Sequence, residues 1–209
     1  EKPRQTQPMH HAAFGEKPAF AAGIAVARNF ANVRQFDAAR RWIAKADEAA
    51  KDKEKLVVQF MLGDLALAQA GDPPDKKLAA EARDHFAVVI AGAPRELLAA
   101  NNLAWLLATE FGQPAEAAKI LDTAKGDVPP ARLPSPILHT LSVVYRKAGR
   151  SPEALKALEE AIAVYPKDPK LLLELAACLT EAKRFVEAAS AVQSVIDLKP
   201  GPALLAEAN

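Results

Sequence analysis

The stretch Ser135–Asp168, SPILHTLSVVYRKAGRSPEALKALEEAIAVYPKD, carries the decision about the fold. It falls into two apolar patterns on either side of Gly149, each with the step of three to four residues that puts side chains on one face of a helix. The first holds an apolar residue, a small one and a bulky one three further on, Leu141-Ser142 and Tyr145. The second holds Ala154, Leu158 and Ala161 at i, i+4 and i+7. A small residue lets two helix backbones approach closely. The glycine permits a turn between the two helices, and Pro166 stops the second. The spacing predicts a helical hairpin.

Working outward, the same hairpin recurs. The second-helix pattern reappears as Ala39/Ile43/Ala46, Ala82/Phe86/Val89, Ala117/Leu121/Ala124 and Ala188/Val192/Val195. The first-helix pattern reappears as Val26-Ala27/Phe30, Leu62-Gly63/Ala66, Leu103-Ala104/Leu107 and Leu175-Ala176/Leu179, ending weakly only at Ala66. Helix-stopping prolines stand at 94, 129, 166 and 200, separated by 35, 37 and 34 residues. A fixed period of this length marks a stacked array, in which each unit buries its apolar face against its neighbours.

In this register the chain resembles the tetratricopeptide repeat family, with Leu141, Tyr145, Gly149, Ala154, Leu158, Ala161 and Pro166 as its sharpest match. The resemblance covers residues 20–202. It implies an all-α, right-handed superhelical solenoid of five helix-turn-helix pairs, at about 20–53, 56–96, 97–131, 135–168 and 169–202. The chain departs from the family in two ways. The family's early tryptophan is replaced by Gly23, Gln59, Ala100, Leu138 and Leu172, and Lys51 stands where the first proline would fall. Residues 1–18, with Pro3, Pro8, Gly15 and Pro18, read as an extended tail or linker. Residues 203–209 read as the opening of a capping helix, and the start at Glu1 suggests a piece of a longer protein. Gly71–Lys77 is expected to lengthen the turn inside the second repeat as an exposed loop. The four prolines of Val128–Pro136 are expected to stiffen the connection before the fourth.

Composition narrows the function. The 209 residues carry 27 Lys+Arg against 26 Asp+Glu, a net charge of +1 that leaves no excess to neutralise a run of phosphates or to hold an anionic membrane. Nucleic acid is not expected as a partner. No apolar run nears the roughly 20 residues of a membrane helix; the richest, Leu103–Leu107, is bracketed by Asn101, Asn102 and Glu110. One cysteine, Cys178, can form no internal disulfide and fixes no compartment, so bacterial cytoplasm and periplasm both remain open. The chain has no phosphate loop, no HExxH, no GxSxG and no CxxC. No enzyme activity, cofactor or metal is expected. His10 and His11 supply at most two ligands, and His85 and His139 are dispersed. Cys178 reads as a buried inert thiol, and Glu153, Glu159 and Glu160 as a solvated face.

A helical-pair solenoid offers a concave surface lined by its first helices. The resemblance places there Ile24 and Arg28, Phe60 and Asp64, Asn101, Asn102 and Trp105, His139 and Val143, then Leu173 and Ala177. The lining is mixed and mostly uncharged, with Phe60, Asn101 and Trp105 at its centre. An exposed aromatic anchors a partner, and side-chain amides bond to a peptide backbone. Two alternatives stay open: Phe60 and Trp105 as wedges between helices, and the two asparagines as helix caps. Trp42, beside Arg40 and Arg41, reads as packing. The carboxylate clamp of chaperone-binding relatives is missing, and Asp64 would repel a carboxylate. The function implied is a non-catalytic module that binds a peptide, helix or domain of another protein and scaffolds a complex. Asn101–Thr109 and Leu138–Leu141 are similar to phrases in bacterial tetratricopeptide proteins of secretion and exopolysaccharide-export systems, which implies an envelope scaffold as the alternative. A third reading is self-association through an apolar C-terminal end formed by Leu173, Val192, Val195, Ile196 and Leu198.

Overall fold

The computed structural model describes residues 20–199 and 201; the tail, with His10 and His11, and the capping segment at 203–209 lie outside the described residues. Ten α-helices follow one another: α1 Phe20–Asn32, α2 Phe36–Ala49, α3 Glu54–Ala70, α4 Lys76–Gly92, α5 Leu97–Thr109, α6 Pro114–Lys125, α7 Ser135–Lys147, α8 Ser151–Val164, α9 Pro169–Glu181 and α10 Phe185–Asp197. There is no strand among the described residues. The expected all-α class and five helix pairs are both present, since α1 packs on α2, α3 on α4, α5 on α6, α7 on α8 and α9 on α10. The described residues divide into two compact units, one with α1–α4 up to Gly92 and one with α5–α10 from Ala93 on.

The apolar stripes form the core of each unit. Ala39, Ile43 and Ala46 of α2, Ala82, Phe86 and Val89 of α4, and Ala154, Leu158 and Ala161 of α8 are buried. So are the small residues that face them, Ala27, Gly63, Ala104, Ser142 and Ala176. Ala66, the weak end of its set, is fully buried because Phe86 is the bulkiest residue at its position and fills the interval. A Cβ built on Gly63 would sit 2.9 Å from the Phe86 ring, so only glycine fits there.

The turns of the first, fourth and fifth repeats share one construction. In each of them the backbone N–H one residue past a left-handed position bonds back across the helix end, Gln35 N to Phe30 O (2.9 Å), Arg150 N to Tyr145 O (2.8 Å) and Arg184 N to Leu179 O (2.9 Å). The left-handed residue is Arg34, Gly149 or Lys183, with φ of 58°, 74° and 58°.

One expectation needs correction in part. The turn of the second repeat, Gly71–Asp75, is the longest of the five and mostly exposed, but most of the extra residues lengthen its helices to 17 residues each, against 12 to 14 elsewhere. Asp75 caps α4, its Oδ1 accepting from Lys77 N and Leu78 N, both at 2.9 Å. The proline-rich connection runs between α6 and α7. It winds into a 3-10 turn at Pro130–Arg132, buries Leu133, and is tied to the end of α8 by the Tyr165 hydroxyl donating to Leu133 O at 3.2 Å. In the expected apolar C-terminal end, Val195 is fully buried, Leu173, Val192 and Leu198 are half-buried, and Ile196 alone of the five is exposed.

Candidate functional site

First helices lie side by side within each unit, α1 on α3 in the first, α5 on α7 and α7 on α9 in the second. Second helices insert between them, so that α6 packs on α5 and α7, and α8 on α7 and α9. The sequence-predicted residues therefore fall on two faces, one per unit.

On the first unit, Ile24 is 8% exposed and belongs to the core with Ile43 and Ala46, which removes it from any lining. Arg28 and Asp64 are exposed. Loss of hydration raises the Asp64 carboxyl above its ordinary value and the Arg28 charge pulls it back, so the two residues act on each other across α1 and α3. Phe60 turns toward α4, its ring 5.8 Å from that of Phe86, and serves the α3–α4 interface. Trp42 is half-buried against the same core, under the Lys45 ammonium at 4.7 Å.

On the second unit the predicted residues come together. The Trp105 ring on α5 lies 5.5 Å from the His139 ring on α7 at an interplanar angle of 31°, both half-buried. One turn before Trp105, Asn101 Nδ2 donates to Asn102 Oδ1 at 3.1 Å, and Asn101 Oδ1 is buried with no hydrogen bond in the chain. The asparagines do not cap α5; Glu96 does, accepting from Ala99 N at 2.6 Å. Val143 is 4% exposed and is core, because it sits on the side of α7 that its neighbours cover. Leu173 and Ala177 on α9 are half-buried.

Sequence reasoning missed the charged part of this face. Arg146 on α7 donates from Nε to Glu174 and from Nη1 to Glu181 on α9, both at 3.2 Å. Glu174 precedes the Leu175-Ala176 pair as Asn102 precedes Leu103-Ala104, and that shared register was the available signal. The Arg146 guanidinium is thus occupied by two carboxylates of α9. Cys178 is buried on α9, and burial pushes its thiol up to about 11, so it stays a protonated thiol. Among the described residues no cluster of His, Cys, Asp and Glu is arranged to hold a metal ion, and no helix is long and apolar enough to cross a membrane.

Comparison with known proteins fits this geometry. A family model described as tetratricopeptide repeat matches residues 140–202. Residues 140–202 carry tetratricopeptide repeat sequence. Solved structures extend the likeness in fold to nearly the whole chain. MamA from Desulfovibrio magneticus, residue 41 to its end, is 18% identical with a TM-score of 0.68, over 90% of this chain and 97% of that one. PilW, a widely conserved type IV pilus biogenesis factor, is 18% identical with a TM-score of 0.68, over 86% of this chain and 77% of that one. A putative kinesin light chain from Podospora anserina, with nearly identical TPR-like repeats, is 20% identical with a TM-score of 0.63, over 86% and 94%. No curated protein sequence matches the chain. The matched stretch covers the last two helix pairs, α7 from Thr140 onward with α8, and α9 with α10.

Proposed function

We propose that the protein is a non-catalytic interaction module whose second-unit face, built by α5, α7 and α9, binds a segment or domain of another protein and so scaffolds a larger complex. The observation that carries this reading is the half-exposed Trp105–His139 pair, flanked by Asn101 and Asn102 and by the ion pairs of Arg146 with Glu174 and Glu181. A rigid aromatic pair beside amides holds a partner by apolar contact and backbone hydrogen bonds at small entropic cost. Leu173 extends the binding surface on α9 and Val143 supports it from beneath, while the exposed Arg28 and Asp64 belong to the separate face of the first unit. The repeat family and the fold shared with MamA and PilW support the general class of interaction scaffold.

The test is affinity capture from the native cell with wild type beside Trp105→Ala, both checked for helicity. Loss of a specific partner with the variant supports the reading; the same partners at the same yield refute it. A second reading, an envelope scaffold, is favoured by the Asn101–Thr109 phrase and by the likeness to a pilus biogenesis factor. Fractionation of the native cell decides it, since a wholly cytoplasmic protein would sink it.

A further inference from the structure

A second recognition site emerges from comparing the last two repeats with each other. In the fourth repeat, Arg150 grips Glu153 with Nε and Nη2, at 2.8 and 2.6 Å, and reaches back with Nη1 to Asp122 of α6 at 2.7 Å. Its guanidinium lies 4.2 Å above the ring of Tyr145, whose hydroxyl donates to the other Asp122 oxygen at 2.5 Å. The buried phenol ring thus lies between α6 and the start of α8, with a cation over its face and a carboxylate at its tip.

The fifth repeat rebuilds this arrangement with one part changed. Arg184 stands in the register of Arg150, Glu187 in that of Glu153 and Glu159 in that of Asp122. The contacts match: Arg184 grips Glu187 with Nε and Nη2, both at 2.7 Å, and reaches back with Nη1 to Glu159 of α8 at 3.3 Å. Where Tyr145 stood, however, there is Leu179, buried, shorter and without a hydroxyl. Between α8 and α10 an open cleft of about 310 Å³ results, floored by Leu172, Leu175 and Leu179 and edged by Glu159 and Arg184.

We propose that this cleft takes the side chain of a tyrosine presented by a partner polypeptide. The phenol ring lies on Leu175 beneath the Arg184 guanidinium, and its hydroxyl donates to Glu159, so the partner supplies from outside what Tyr145 supplies from within. A carboxylate is excluded by Glu159 and Glu187, and a lone cation finds both already held by Arg184. An apolar ring bearing one donor satisfies floor and rim together. The site lies on α8, α9 and α10 and is independent of the Trp105 face.

The test uses the full chain with isotope-labelled leucine methyl groups, titrated by NMR with the capped tripeptide acetyl-Ala-Tyr-Ala-amide and with its phenylalanine analogue. Saturable shifts are expected at Leu172, Leu175 and Leu179. Binding should weaken about three- to tenfold for the phenylalanine analogue and for Glu159→Ala, because each loses the hydrogen bond to a charged acceptor. Leu179→Tyr should abolish it by filling the cleft. No saturable shift at these leucines, or equal affinity for the two peptides, overturns the proposal. Should Leu179→Tyr fail to fold, Glu159→Ala answers alone, since Glu159 is exposed and outside the core.

Discussion

Gly63 has no room for a methyl group, and that single constraint ties two helices together. The Phe86 ring fills the space, clamped on its other side by Phe60. Gly63→Ala is expected to destabilise the protein by about 1–3 kcal/mol through overpacking, read from urea unfolding. Adding Phe86→Leu to that variant should recover part of the loss, whereas additive losses would show that the two residues do not share the space. His85 has a different dependence. Burial lowers its pKa below the ordinary 6.5, outweighing Glu81, and its Nδ1 lies 2.7 Å from Gln59 Oε1. The folded state then binds fewer protons than the unfolded chain in the window below 6.5, so His85 favours folding above that value and costs stability as the pH falls through its lower folded pKa. Melting curves between neutral and mildly acid pH should show a smaller decline for His85→Gln than for wild type; parallel declines would assign the acid sensitivity elsewhere. The Gly63–Phe86 match was legible in the sequence, because smallest and bulkiest residues occur at the paired positions of one repeat. The setting of His85 was not, since nothing in its own register announces Gln59 on the neighbouring helix.

Among the elements, the helices follow from the spacing of apolar residues, and their turns from backbone geometry. The same left-handed turn position is occupied by glycine in the fourth repeat but by Lys183 in the fifth, where a side chain strains the backbone at φ 58°. Lys183→Gly is expected to stabilise by about 0.5–1 kcal/mol after the entropic cost of glycine, raising the melting temperature by roughly 2–4 °C. An unchanged or lower melting temperature would mean that the lysine side chain contributes more than the strain removes. Helix existence and pairing were legible because five copies of one pattern reinforce each other. The lengthening of α3 and α4 was not, because extra residues with ordinary helix propensity extend a helix as readily as a loop. The Arg150 and Arg184 brackets were equally hidden: each bonds to the preceding second helix, about 25 to 28 residues away in sequence.

At the scale of the molecule, each unit presents its first helices as a layer, and the second unit's layer gathers the aromatic, amide and paired ionic groups. The sequence register put Asn101, Asn102, Trp105, His139 and Leu173 on first helices, where they are half-buried. It placed Ile24 and Val143 on the surface because position along a helix was known while the covering neighbour was not, and those two are core. It left Phe60 and Trp105 undivided for the same reason; one packs on its own repeat's second helix, the other meets the next repeat's first helix. The central claim is that the α5–α7–α9 face is where a partner protein sits. The most direct measurement is photo-crosslinking in the native cell with a benzoylphenylalanine replacing Trp105, beside the same group at the exposed Lys156 of α8. The account predicts a crosslink to a specific polypeptide from position 105 and none to that polypeptide from position 156. The same polypeptide captured from position 156 and not from 105 would contradict it.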